Sequence, residues 1–98
     1  MEIKKTTENG VLNAAISGRI DTTTAPTLEI EFKNSFDSIE SLVLDFAEVG
    51  YISSAGLRVL LSAHKVMSKK DGMKLINVGE SIMEIFEVTG FNDILNIE

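Results

Sequence analysis

The sequence predicts an α/β fold, a mostly parallel mixed β-sheet with an N-terminal hairpin and about three main helices. Three observations carry this. Short β-prone runs alternate with stretches whose apolar residues fall at helical spacing; an Asn-Gly pair separates the first two runs; helix-start and helix-stop residues punctuate the rest. The expected order is β-β-α-β-α-β-α-β, in one domain covering residues 1–98, without internal repeats or linkers.

Glu8-Asn9-Gly10 divides Ile3–Thr7 from Val11–Ser17, and the hairpin adds at least one antiparallel strand. Gly18-Arg19-Ile20-Asp21 ends the second strand. Thr22-Thr23-Thr24-Ala25-Pro26 then reads as a helix start, with threonines to cap and proline in the first turn. Ala25, Leu28, Phe32, Phe36 and Ile39 supply one apolar stripe for that helix. Leu42-Val43-Leu44 is an unbroken apolar run, expected of a strand buried on both faces.

After Ser53-Ser54, Leu57, Leu60, Leu61 and His64 recur at i, i+3, i+4 and i+7, widened by Val59, Ala63, Val66 and Met67. Lys69-Lys70-Asp71-Gly72 closes this second helix with cations and a glycine. Met73–Val78 is the next strand. Ser81-Ile82-Met83-Glu84 fits a capping box for a third helix with Ile82, Ile85, Phe86 and Thr89 inward and Gly90 as its C-cap. Residues 94–97 complete the order as an edge strand.

Composition narrows the function classes. The chain has 98 residues, 44% apolar and 24% charged, enough for one core. With 9 basic and 15 acidic side chains the net charge is −6, and no basic tract offers a surface for nucleic acid or an anionic membrane. A protein partner is the expectation. The absence of cysteine excludes disulfides and thiolate metal sites. Met1-Glu2-Ile3-Lys4-Lys5 lacks the apolar run of a signal peptide, and no stretch reaches the roughly 20 apolar residues of a membrane span. A cytoplasmic location is expected, with no cofactor and no metal.

In a sheet of this kind, partners and ligands meet the loops at the carboxyl ends of the strands. These loops are Gly18–Thr24, Phe46–Ser54 and Val78–Ser81, so Asp21 and Ser54 are expected on one edge. A hydroxyl at a strand-to-helix junction suits a nucleophile, a phosphate acceptor or simply a helix N-cap. His64 is the single histidine. Ten residues of helical rise would place it about 15 Å from Ser54, whereas a base must approach its nucleophile to roughly 3 Å. The G-x-S-x-G elbow is missing too. The hydrolase reading fails on geometry, and His64 reads as a half-buried member of the helix stripe.

A phospho-aspartate receiver would need an acidic pair beside Asp45 and a lysine at a neighbouring strand end; the first strand has no such pair and no lysine follows Lys74. Asp45 and Asp21 therefore read as turn or helix caps. The phosphate-binding loop G-x-x-x-x-G-K-[ST] is absent.

Tyr51-Ile52-Ser53-Ser54-Ala55-Gly56-Leu57-Arg58-Val59-Leu60-Leu61 closely resembles the signature of the STAS domain, specifically of the bacterial anti-sigma factor antagonists. Gly18-Arg19-Ile20-Asp21 with Thr24-Ala25, and Thr89-Gly90-Phe91, are similar to two further elements of that family in the same order. The resemblance spans essentially the whole chain and implies a STAS-like fold. It implies that the unphosphorylated protein binds an anti-sigma factor and so frees a sigma factor. The anti-sigma factor would be a serine kinase of the GHKL type, ending the interaction by phosphorylating a loop serine, and a PP2C-type phosphatase would restore it. Nothing in this role makes the protein itself an enzyme.

The serine matching the acceptor is Ser54, two residues before Gly56, with the adjacent Ser53 second. Ser53 stands where some members carry aspartate, and Ala55 where some carry serine. The contact surface implied comprises Asp21, Thr22 and Thr24 with Ser53, Ser54, Gly56, Leu57 and Arg58. Two other readings remain at this point: a STAS scaffold without a kinase cycle, and an enzyme of unknown substrate using Ser53 or Ser54.

Overall fold

A computed structural model describes residues 1–98. The strands β1 (Glu2–Glu8), β2 (Val11–Ile20), β3 (Ser41–Ile52), β4 (Met73–Ile76) and β5 (Asn96–Ile97) form one sheet in the order β1-β2-β3-β4-β5. Helices α1 (Ala25–Ser35), α2 (Ser54–Met67) and α3 (Glu80–Thr89) make the crossovers, and single 3₁₀ turns occupy Phe36–Ser38 and Phe91–Asp93. β1 runs antiparallel to β2, and the other pairs are parallel. Asn9 and Gly10 both adopt positive φ, 52° and 79°, as the two-residue turn of a tight hairpin requires.

The strand order is monotonic, which has a packing consequence. Right-handed crossovers that always step in the same direction place every helix on the same side of the sheet. Burial follows this. Leu12, Ala14 and Ile16 on β2, Leu42, Leu44 and Phe46 on β3, and Met73 and Leu75 on β4 are buried beneath the helices. Asn13 and Ala15 are exposed, and Val43, Asp45, Lys74 and Ile76 are only half-buried, on the face that no helix covers. The expectation that Leu42-Val43-Leu44 is enclosed on both sides is thus corrected: with one face open, Val43 points away from the core.

Twenty-three buried apolar residues form one cluster. Ala25, Leu28 and Phe32 seat α1, and Ile39 joins them from an extended residue beyond the helix. Leu57, Val59, Leu60, Ala63 and Met67 seat α2, and Ile82 and Phe86 seat α3, with Phe86 packed against Phe46 at 6.4 Å between ring centroids. No helix is long and apolar enough to cross a membrane.

Four local expectations change. The N-cap of α1, Thr24, makes no side-chain capping bond to the helix, and Asp21 instead closes the turn that precedes it, as described below. β4 stops at Ile76 because Asn77 takes a left-handed φ of 57°. α3 starts at Glu80, with Gly79 as its N-cap and Met83 N–H bonded to the Gly79 carbonyl, so Ser81 lies inside the first turn and caps nothing. Thr89 is exposed, its hydroxyl returned to the Ile85 carbonyl at 2.7 Å, while Gly90 ends α3 in the left-handed conformation as expected.

Candidate functional site at the start of helix α2

The segment expected to be a loop, Phe46–Ser54, is mostly strand. β3 continues to Ile52 and leaves Ser53 as the only residue between strand and helix. Two register shifts against β2 make this possible. Ala15 faces Asp45 but Ser17 faces Glu48, and Gly18 faces Val49 but Arg19 faces Tyr51, so β3 holds one extra residue at each place. An extra residue reverses which side chain faces inward. The buried positions of β3 accordingly run Leu42, Leu44, Phe46, then Val49, then Ile52. Asp45 fixes the first shift: its Oδ1 accepts from the Ala47 amide at 3.0 Å and from Asn77 Nδ2 at 3.1 Å. It is a structural carboxylate, and no three histidine or acidic side chains converge anywhere to hold a metal.

The second shift brings Ile52 beside Ile20, and the Ser53 amide donates to the Ile20 carbonyl at 2.8 Å. Ser53 is extended and its carbonyl accepts from Leu57 N–H at 2.9 Å, which makes Ser53 the N-cap and Ser54 the first helical residue. The two hydroxyls then differ in access. Ser54 is exposed, whereas Ser53 Oγ is enclosed without a hydrogen-bond partner.

Gly56 sets how closely α2 approaches. A Cβ at this position would lie 2.7 Å from Ile20 Cγ2 and Ile52 Cγ1 and 3.1 Å from the Ile20 carbonyl oxygen. Glycine therefore lets the first turn of α2 rest directly on the ends of β2 and β3. Leu57 is 7% exposed and belongs to the core. Of the residues expected at the contact surface, Gly56 and Leu57 face inward and fix the rotation of the helix that presents Ser54 and Arg58 to solvent.

On the neighbouring loop, Asp21 Oδ1 accepts from the amides of Thr23 at 3.0 Å and Thr24 at 3.1 Å. Thr24 Oγ1 accepts from Asp21 N–H at 2.8 Å and donates to the Arg19 carbonyl at 2.7 Å. This closed turn delivers the chain into α1, with Ala25 N–H bonded to the Asp21 carbonyl. The Thr24 amide is the main cause holding the Asp21 carboxyl below its ordinary value of 3.8; the Thr23 amide, the Thr24 hydroxyl and the Arg19 guanidinium add to it, and partial desolvation opposes them. Asp21 and Thr24 are half-buried within the turn, and Thr22 is exposed.

The Ile20–Ile52 pairing and the Ser53–Ile20 bond place the Asp21 turn beside the Ser54 helix start, on one sheet edge as expected. Sequence reasoning missed two flanking residues, Arg19 and Tyr51. Register partners across the second shift, they stack with the guanidinium carbon 4.3 Å from the ring centroid, and Arg19 also pairs with Asp21 at 3.6 Å. A strand reading of residues 46–52 would have set Tyr51 beside this edge.

His64 lies on α2 ten residues after Ser54, half-buried, its Nδ1 enclosed and unpartnered. One continuous helix between them preserves the separation of about 15 Å, so the two form no nucleophile–base pair. A surface cavity of about 490 Å³ adjoins His64 at the opposite edge, lined also by Ser41, Ser68, Asp71 and Lys74. None of the main concavities includes Ser53 or Ser54; the surface at the helix start is open.

A five-stranded mixed sheet covered on one side, with an exposed serine opening the glycine-seated helix at the β3–α2 junction, defines a one-sided α/β module. Comparison with known proteins makes the class specific: the STAS domain profile matches residues 2–98, and the chain belongs to the STAS domain family. It is similar to the anti-sigma-B factor antagonist of Bacillus subtilis (strain 168), 32% identical over 94 residues covering 95% of this chain and 85% of that protein. The anti-sigma-B factor antagonist of Listeria monocytogenes is 33% identical over 86 residues, 85% of this chain and 75% of that one. Among solved structures, an anti-sigma factor antagonist from Mycobacterium paratuberculosis superposes with a TM-score of 0.88 at 27% identity, covering 98% of this chain and 83% of its own.

Proposed function

We propose that this protein is an anti-sigma factor antagonist whose binding is switched at Ser54. The unmodified form holds the anti-sigma factor, a serine kinase of the GHKL type, through the edge formed by Thr22, Ser53, Ser54 and Arg58 over the Asp21–Thr24 turn, and so frees a sigma factor. The observation that carries this reading is the contrast within the serine pair: Ser54 is exposed on an open surface, while the Ser53 hydroxyl is enclosed. An acceptor must enter another protein's active site, and only Ser54 is presented for that.

In the switching step, Ser54 Oγ attacks the γ-phosphorus of ATP bound to the kinase. Its proton passes to a base on the kinase, the bond to the bridging oxygen breaks, and ADP leaves. The product carries about −1.5 to −2 charges at Ser54 at neutral pH. Ser54 is the first residue of α2, where free backbone N–H groups and the helix dipole favour an anion, so the fold accommodates the group. The partner does not: a phosphate inside a contact must shed water and repels any acid opposite it, and the chain already carries −6. Each 1.4 kcal/mol lost weakens binding about tenfold, so a few kcal/mol release the partner. A PP2C-type phosphatase hydrolyses the ester and restores the first state.

Two variants test this. Ser54→Asp is expected to weaken binding to the anti-sigma factor by at least about a hundredfold, while its acid at the helix start leaves stability unchanged or raises it by about 0.3–1 kcal/mol. Ser54→Ala is expected to bind and to acquire no phosphate from the partner and ATP. If both variants bind and are phosphorylated like the parent, Ser54 is not the switch.

A further inference from the structure

Taking Ser54 as the phosphoacceptor, we propose that Arg58 is the internal partner of its phosphate, so that one modification both adds an anion to the contact edge and withdraws a cation from it. Ser54 and Arg58 are four residues apart on the same helix, which brings their Cβ atoms to about 5–6 Å and their side chains over the same patch. The inward positions Gly56, Leu57, Val59 and Leu60 are all buried, so the helix has no freedom to turn the pair away from each other or from solvent. Both residues are exposed.

Arg58 is also free. The ion pairs of the protein are Lys5–Glu31, Arg19–Asp21, Lys33–Glu29 and Lys74–Glu98, and Arg58 takes part in none of them. The other arginine is committed to Asp21 and to the Tyr51 ring. The first turn of α2 contains no acid, so nothing on the helix competes for the guanidinium. The order also suits it: an anion N-terminal to a cation at i, i+4 is the favourable arrangement, and a guanidinium can give two parallel N–H donors to phosphate oxygens. In the unmodified protein the same free cation faces the partner.

The charged groups near the helix start from other elements are few. Arg19 and Asp21 on the β2 side are joined to each other; Glu48 lies four residues back along β3, about 13 Å from Ile52; Glu80 opens α3. None of them replaces Arg58 on α2 itself.

The test uses full-length protein with phosphoserine installed at residue 54 during translation, so that no kinase is needed. The second ionisation of the phosphate is followed by phosphorus NMR in the Arg58 parent, Arg58→Ala and Arg58→Lys, at low salt and at 0.5 M salt. A guanidinium that binds the dianion lowers its proton affinity, by about two- to fivefold relative to Arg58→Ala at low salt. Arg58→Lys recovers part of the shift, and high salt shrinks it. Coincident curves for the parent and both variants overturn the proposal. Failure of a kinase to modify Ser54 would instead count against the switch, and leaves this titration unaffected.

Discussion

A single methyl group at Gly56 would disturb the whole site. Its Cβ would meet two buried isoleucine side chains at 2.7 Å and a backbone carbonyl at 3.1 Å, and none of these has space to retreat. Gly56→Ala is expected to cost about 1–3 kcal/mol in urea denaturation and to lift the start of α2 from the sheet. A second residue-scale prediction concerns Asp21. Its carboxyl titrates below 3.8 in the folded protein, so its stabilising contribution is present above that value and disappears as pH falls through the folded one. Asp21→Asn should therefore flatten the stability profile as pH falls below about 5, with the parent losing more than the variant on acidification. Parallel urea midpoints for the two proteins would contradict the turn-closing role. The motif made Ser54 and Gly56 visible in the sequence. It could not show that glycine is needed for close contact with Ile20, because Ile20 lies 36 positions earlier and only the fold brings it near.

At the scale of elements, the hairpin and the end of α3 were legible because Asn9-Gly10 and Gly90 have one conformational meaning each. The second half of β3 was not. Its buried residues Phe46, Val49 and Ile52 lie three apart, a spacing that belongs to neither regular strand nor loop, and it arises from two extra residues that only pairing with β2 reveals. The third-helix cap was misplaced for a related reason: Ser81 and Glu84 fit a capping box, yet extended Gly79 starts the helix earlier and puts Glu80 in the first turn. The turn that follows α1 depends on a distant residue, since Lys70 Nζ donates to the carbonyls of Phe36 and, at 2.7 Å, of Ile39. Lys70→Met should cost about 1–3 kcal/mol by leaving these acceptors without a charged donor, and should speed amide exchange around residues 36–41. The uncovered sheet face makes a further contrast. Leu44→Ala should cost about 2–5 kcal/mol and its neighbour Val43→Ala clearly less, as urea unfolding will show, because only Leu44 lies beneath the helices.

For the molecule as a whole, the fold class and the site region were readable from alternating patterns and one motif, whereas the one-sided covering was not. Periodicity reports that a strand is apolar; it does not report the order in which strands are laid down, and here that order puts every crossover on one face. The same order places the β2 and β3 ends side by side, so that a rigid sheet edge presents the α2 start while the core lies behind it. In the proposed switch, a group added at Ser54 would act on what docks there, with the core left intact. Titration calorimetry of the anti-sigma factor with two homogeneous forms of this protein, serine or phosphoserine at residue 54, tests that most directly. With circular dichroism showing the same fold in both, the phosphorylated form should bind at least about a hundredfold more weakly, on the order of 3 kcal/mol; equal affinities would contradict it.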